Sequence, residues 1–190
     1  FTVLYSGNMG RCHDIDTIFE AALLLRDEPI QFVCIGSGAK RDGLIQQVAE
    51  MGLDNFIFLP YQDKAVLPYS LTAWDLSLVS GSPGMESLVA PSKLYSALAS
   101  GRPIAAVCPP HTYLRQMLEE GNCGAWFNNG DSQKLAEFIR HLSRDEQTAR
   151  AMGQAARACL EENYSPDIIA QQYADVFHQS SVCESSHVFA

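Results

Sequence analysis

Basic residues are scarce in this chain: 13 Lys and Arg stand against 22 Asp and Glu, a formal charge of −9. Broad contact with nucleic-acid phosphates depends on clustered cations that release counterions, so no nucleic-acid partner is expected. One local anion site remains compatible with that balance. No apolar run reaches the roughly 18 residues that a membrane-crossing helix needs. The six cysteines, at 12, 34, 108, 123, 159 and 183, include no Cys-x-x-Cys pair, which argues against a zinc site. Cys34 in Phe-Val-Cys-Ile and Cys108 after Ala-Ala-Val sit in apolar strand patterns, where a free thiol serves as a small core hydrophobe. A reducing cytoplasm is the expected setting. Initiator Met and signal-peptide grammar are also missing, so the chain reads as a fragment excised or processed from a longer protein. It has no internal repeat and no low-complexity linker to mark a second domain.

What is present fits one globular domain. The chain has 190 residues, 47% of them hydrophobic and 18% charged, enough apolar material to offset chain entropy. Short apolar runs rich in β-branched and aromatic residues predict strands at 2–6, 31–36, 55–59, 75–79, 103–107 and 125–127. Between the early runs, apolar residues recur at three- and four-residue spacing, as in Ile15, Ile18, Phe19, Ala22 and Leu23, or Leu44, Ile45, Val48 and Ala49, which predicts helices. Near-continuous apolar strands alternating with helices imply a parallel sheet covered on both faces. The expected fold class is therefore α/β: a doubly wound, mostly parallel, Rossmann-like sheet of about six strands. Asp131 or Ser132 is placed to cap a helix over 133–142, and Gly52 stops one at Met51. Beyond Phe127 the pattern is helical, over 133–142, 145–162 and 166–177. Residues 179–190 show no period and are expected to form a loose tail after a domain spanning 1–178.

Three segments carry candidate chemistry. Tyr5-Ser6-Gly7-Asn8-Met9-Gly10-Arg11 runs from a strand into a glycine-bearing turn before a helix, a geometry that presents backbone N–H groups to an anion. Arg11 adds a guanidinium suited to a diphosphate. Ile35-Gly36-Ser37-Gly38 puts glycines at a second strand end, where ligands approach open α/β sheets. Position 41 is Arg where a Gly-x-Gly-x-x-Gly fingerprint would have its third glycine, which argues against a nicotinamide cofactor. The longest segment joins a strand, a loop, a helix and the next strand between Ser80 and Ile104. There Pro91 fixes φ, Ser92 is placed to cap the helix, and Lys93 adds a charge at its positive dipole end. Glu86, in the same loop, is placed to accept hydrogen bonds from sugar hydroxyls.

Taken together, Gly7 to Arg11, Ile35 to Gly38, Glu86 to Pro103, Trp74-Asp75-Leu76, Glu120 to Gly124 and Asn129-Gly130-Asp131 resemble the carboxyl-terminal domain of the family 4 glycosyltransferases, two-domain enzymes of the GT-B type. The resemblance covers roughly residues 3–177. It implies a retaining transferase that moves a sugar from a nucleotide diphosphate sugar to a glycan, lipid or small-molecule acceptor held by a separate amino-terminal domain. It also implies a metal-independent reaction and a cytoplasmic protein that can contact the inner membrane face through the other half. Glu86 would take the role of the first Glu of the family's Glu-x7-Glu motif, contacting the donor sugar. Gly10, Arg11, Tyr61, Ser87, Leu88, Val89, Ser92, Lys93 and Ser96 would surround the rest of the donor. The pattern departs from the family at two points. Leu94 stands eight residues beyond Glu86, and Ser96 falls where counting back from Ala99-Ser100-Gly101 would place the second, ribose-binding Glu. His13 stands near where a Lys is common, and Lys93 is suited to compensate. The closing helix over 166–177 resembles the one that crosses back onto the acceptor domain.

Two other functions share the donor site: a sugar-nucleotide epimerase of the GT-B fold and a noncatalytic nucleotide-sugar-binding domain. A receiver-like signalling module would need a phosphoacceptor Asp after a central strand, whereas Asp75 lies at a strand's start.

Overall fold

The computed structural model describes residues 1–85 and 92–184, with side chains as far as residue 178. In chain order the elements are β1 (Thr2–Ser6), α1 (Asp16–Leu24), β2 (Gln31–Ile35), α2 (Arg41–Glu50), β3 (Phe56–Leu59), α3 (Leu67–Thr72) and β4 (Leu76–Ser80). There follow α4 (Lys93–Ser100), β5 (Ile104–Val107), α5 (Tyr113–Gly121), β6 (Gly124–Phe127), α6 (Ser132–Arg144), α7 (Glu146–Asn163) and α8 (Pro166–Glu184). The six strands form one sheet in the order β3-β2-β1-β4-β5-β6, and every pairing is parallel. The strand order reverses between β1 and β4, so the carboxyl ends of these two strands border the crevice where such sheets take ligands.

Alternation along each strand sorts side chains to two faces. Val3, Tyr5, Leu76, Leu78, Ala105 and Val107 join one core with Ile18, Ala21 and Ala22 of α1 and Leu135 and Ile139 of α6. Their strand neighbours Val79, Ile104 and Ala106 join the opposite core with Leu94 and Leu98 of α4, Leu114 and Leu118 of α5, and Ala156 of α7. Both faces are thus covered, which is why the strands read as unbroken apolar runs. Cys34 and Cys108 are buried at 3% and 0% exposure, the small-hydrophobe role expected of them.

Several local expectations need correction. Asp131 occupies the cap position of α6, but its side chain caps no helix amide; its Oδ2 accepts from Asn128 and Lys134 instead. Asp145, by contrast, caps α7 by accepting from the Thr148 N–H at 3.0 Å. The last helix continues to Glu184 rather than ending at 177. Strand β4 starts at Leu76, because Asp75 turns its Oδ2 onto the N–H and hydroxyl of Thr2 at 2.7 and 2.8 Å and ties the two strand entries together.

Candidate functional site

Site residues collect at the carboxyl ends of β1, β2 and β4. The turn after β1 is braced from below by the turn after β2. Gly7 and Met9 donate their N–H groups to the carbonyls of Ile35 and Ser37 at 2.8 and 2.7 Å, and Lys40 N–H returns to Met9 O at 2.9 Å. Gly38 lies so close that a Cβ on it would fall 2.5 Å from Asn8 Oδ1 and from Met9 C. The glycines of Ile35-Gly36-Ser37-Gly38 therefore serve backbone-on-backbone packing against the first turn. The N–H groups of Gly7 and Met9 are thus engaged and are not among those this turn can offer an anion. Gly10 is buried, beside the Asn8 side chain, and Arg11 is exposed.

Lys93 reaches this turn from the first residue of α4. Its stem lies over Gly7, where a Cβ would fall 2.9 Å from Lys93 Cε. Its ammonium is 2.9 Å from His13 Nε2 and 5.4 Å from the centre of the Tyr5 ring. The other imidazole nitrogen, His13 Nδ1, is 2.8 Å from the Ser80 carbonyl oxygen at the end of β4. Because a carbonyl only accepts, Nδ1 carries the proton and Nε2 is left to accept from Lys93. Burial holds the His13 imidazole below its ordinary value; the bond to Ser80 opposes this, and the charges of Lys93 and Lys40 reinforce it. Burial likewise lowers the Lys93 ammonium. Among the described residues Lys93 has no carboxylate partner. A half-buried cation without an ion pair among the described residues, at a sheet's ligand edge, is a place for an anion.

A second network ties three loops together. The buried Asp14 carboxylate accepts from the Thr17 N–H and hydroxyl at 2.9 and 2.7 Å and from Asn129 Nδ2 at 2.7 Å. Asn129 Nδ2 also donates to Gly81 O at 2.8 Å, and Gly130 N–H donates to Thr17 Oγ1 at 2.8 Å. With Ser82 N–H on Cys12 O at 2.9 Å and His13 Nδ1 near Ser80 O at 2.8 Å, the exit of β4 is tied to the β1 turn directly at two residues, and at Gly81 through Asn129. A cleft beside it is lined by Cys12, His13, Ser82, Met85, Cys108 and Tyr113 among others. A larger cavity of about 570 Å³ lies by Phe1, Asp75 and Pro103, at the strands' amino ends, away from these groups.

The structure thus brings Gly10, Lys93 and the turn bearing Arg11 to one edge of the sheet. Tyr61 borders the same edge, with Cε1 3.1 Å from where a Gly36 Cβ would lie, and is 56% exposed. Ser92 stands before α4, but its backbone is already helical (φ −54°, ψ −27°) and its hydroxyl caps no amide. A capping side chain needs extended backbone at its own residue to swing over the first turn, which Ser92 lacks. Ser96 Oγ donates to the carbonyl of Lys93 at 2.9 Å, back onto its own helix. Glu86, Ser87, Leu88, Val89 and Pro91 lie outside the described residues. Sequence reasoning missed Lys40, whose Nζ donates to His13 O at 2.8 Å and pairs with Asp16 at 3.7 Å, and the bridging role of Asp14 and Asn129. The signal for Lys40 was its place two residues after Gly38, in a loop at the same sheet edge.

Comparison with known proteins places the chain in a family and its fold among solved structures. The family described as "Glycosyl transferases group 1" matches residues 1–158. The "Probable glycosyltransferase WbjE" of Pseudomonas aeruginosa is 31% identical over 173 residues, covering 90% of this chain and 42% of that protein. Among solved structures, Anabaena Alr3699/HepE in complex with UDP-glucose superposes with a TM-score of 0.78 at 22% identity, covering 94% of this chain and 49% of that one. The carboxyl-terminal domain of the group 1 glycosyl transferase LpcC from Francisella tularensis gives 0.70 at 20% identity, covering 87% of this chain and 86% of that one. The chain spans less than half the length of the curated relatives it matches.

Proposed function

The chain belongs to the group 1 glycosyl transferases, and from that premise we propose that it is the donor-binding half of a retaining, two-domain transferase. In this reading a nucleotide diphosphate sugar lies across the carboxyl ends of β1 and β4, and an amino-terminal domain holds the acceptor. The observation that carries it is the Lys93 ammonium, half buried over the β1 turn with no carboxylate partner among the described residues. Charge building on the departing diphosphate would be met by Lys93, Arg11 and nearby amides as preorganised donors, with no metal assigned to the step. Glu86 positions the sugar; one carboxylate does not supply the acid and nucleophile pair of most retaining hydrolases. The superposition on a UDP-glucose-bound neighbour and on an isolated carboxyl-terminal domain supports the division of labour.

Calorimetric titration of the chain with UDP-, GDP- and ADP-sugars tests this reading. We expect weak binding selective for one base, and no donor hydrolysis without the acceptor domain, since closure is needed to complete the site. Glu86→Gln should weaken the sugar nucleotide while leaving the bare nucleoside diphosphate unchanged. Absence of binding for every nucleotide sugar would refute the assignment. The back-bonded Ser96 hydroxyl, which leaves the ribose position without a carboxylate, favours a second reading: a noncatalytic donor-binding domain, recognised by binding without transfer in the two-domain protein.

A further inference from the structure

Lysine carries a long, mobile side chain that loses rotamer freedom when it is fixed in one place. A cation meant to meet an anion at a fixed place gains from being held beforehand. A carboxylate would hold it most strongly and would also cancel its charge. His13 offers a different arrangement. Its Nδ1 proton is committed to Ser80 O at 2.8 Å, so Nε2 presents a neutral lone pair to Lys93 at 2.9 Å. The backbone of His13 is fixed in turn by Lys40 Nζ on its carbonyl at 2.8 Å. The Lys93 stem lies against Gly7 and its ammonium over the Tyr5 ring, which leaves further N–H donors beyond the one on His13.

We propose that His13 is a positioning residue for Lys93: a neutral acceptor, anchored on the exit of β4, that orients the ammonium for a diphosphate without neutralising it. The inference rests on the donor-binding reading above and adds a residue to it. It also accounts for a basic pair reached from two different elements, with the second cation coming from α4 rather than from the β1 turn that carries Arg11.

Inorganic pyrophosphate, which tests the anion grip without regard to the base, is the probe for a double-mutant cycle on the chain at one pH near neutrality. Lys93→Ala and His13→Leu should each weaken binding by roughly tenfold, the order expected for a hydrogen bond to a charged group. The double variant should be no weaker than Lys93→Ala alone, because His13 acts only through Lys93. His13→Gln, which keeps an acceptor, should stay within about threefold of the parent. His13→Glu should bind poorly although it holds Lys93 more tightly, because its carboxylate cancels the ammonium's charge; a structural role alone does not predict that His13→Gln keeps binding while His13→Leu loses it. Circular dichroism identifies a variant that has failed to fold, and the Gln and Glu variants then decide the matter between them. Additive losses in the cycle, or His13→Gln as weak as His13→Leu, would overturn the inference while leaving Lys93 as the diphosphate cation. Unchanged binding in Lys93→Ala, or no binding by the parent, would overturn the donor-site reading and this inference with it.

Discussion

A Cβ at Gly36 would fall 2.2 Å from the carbonyl oxygen of Gly7, so the two turns at the ligand edge touch backbone to backbone. Gly36 also holds φ at +127°, a region that side-chain-bearing residues rarely enter. Through this contact the β2 turn sets the height of the β1 turn over which Lys93 lies. Gly36→Ala should therefore cost at least about 2 kcal/mol of stability, read as a fall in denaturation midpoint. A neutral outcome would mean that the turn has room to move. At Gly43, where a Cβ would meet nothing within 4 Å, the same substitution lies inside α2 and should stabilise by up to about 1 kcal/mol.

Asn129 links the β6–α6 loop to both Asp14 and Gly81 through one amide nitrogen. Asn129→Asp would set a second carboxylate within hydrogen-bonding distance of a buried one. Like charges disfavour joint ionisation, so the introduced acid should have a raised pKa in the folded state. A raised folded pKa means that the native state binds the extra proton more tightly, and stability is lost as pH rises through that value. Thermal melts should show the variant close to the parent in mild acid and clearly less stable at neutral pH. An equal deficit at both would show that the lost amide bonds, rather than charge repulsion, dominate.

The strands were legible because both sheet faces are covered, so each strand is a short apolar run with no polar alternation to confuse it. The carboxyl-edge turns were legible as glycine positions, but not what the glycines do. Whether Gly36 and Gly38 face a ligand or another backbone depends on how two turns remote in sequence stack, and no local pattern encodes that. Ser92 illustrates the same limit: the residue type suits a cap, but its helical backbone decides that it does not act as one. Ser96 is a departure from the family pattern in sequence, and its bond to the Lys93 carbonyl shows where the hydroxyl goes. His13 was visible only as a substitute for an expected lysine. Its partners Ser80 and Lys93 lie 67 and 80 residues away, and only the strand order brings them together.

His13 also predicts a pH dependence of stability. Its folded pKa is lowered from the ordinary 6.5, chiefly by burial. Below that ordinary value the unfolded chain therefore binds a proton that the native site resists. Stability should be unaffected by His13 above the ordinary value and fall as pH drops from there through the lowered folded value. Chemical denaturation over this window should show the decline in the parent and a shallower one in His13→Gln. Identical slopes would remove His13 from the acid limb.

Arg115 is the side chain whose replacement should be costliest for its apparent conservatism. Its guanidinium donates to Pro109 O and Cys108 O, both at 2.9 Å, and to Asn128 Oδ1 at 2.7 Å, and it stacks 3.6 Å from the centre of the Trp126 ring. These contacts join the β5 exit to the β6 exit beneath the Asn129 bridge. A lysine cannot reproduce the planar fork or the stacking. Arg115→Lys should lose about 2–3 kcal/mol, the scale of hydrogen bonds to charged groups. It should also shift the emission of Trp126, one of only two tryptophans in the chain. Because Asn128 precedes Asn129, the variant should weaken pyrophosphate binding less than Lys93→Ala does, acting through loop placement rather than charge. Full stability with an unchanged tryptophan spectrum would show that the guanidinium contacts contribute nothing there.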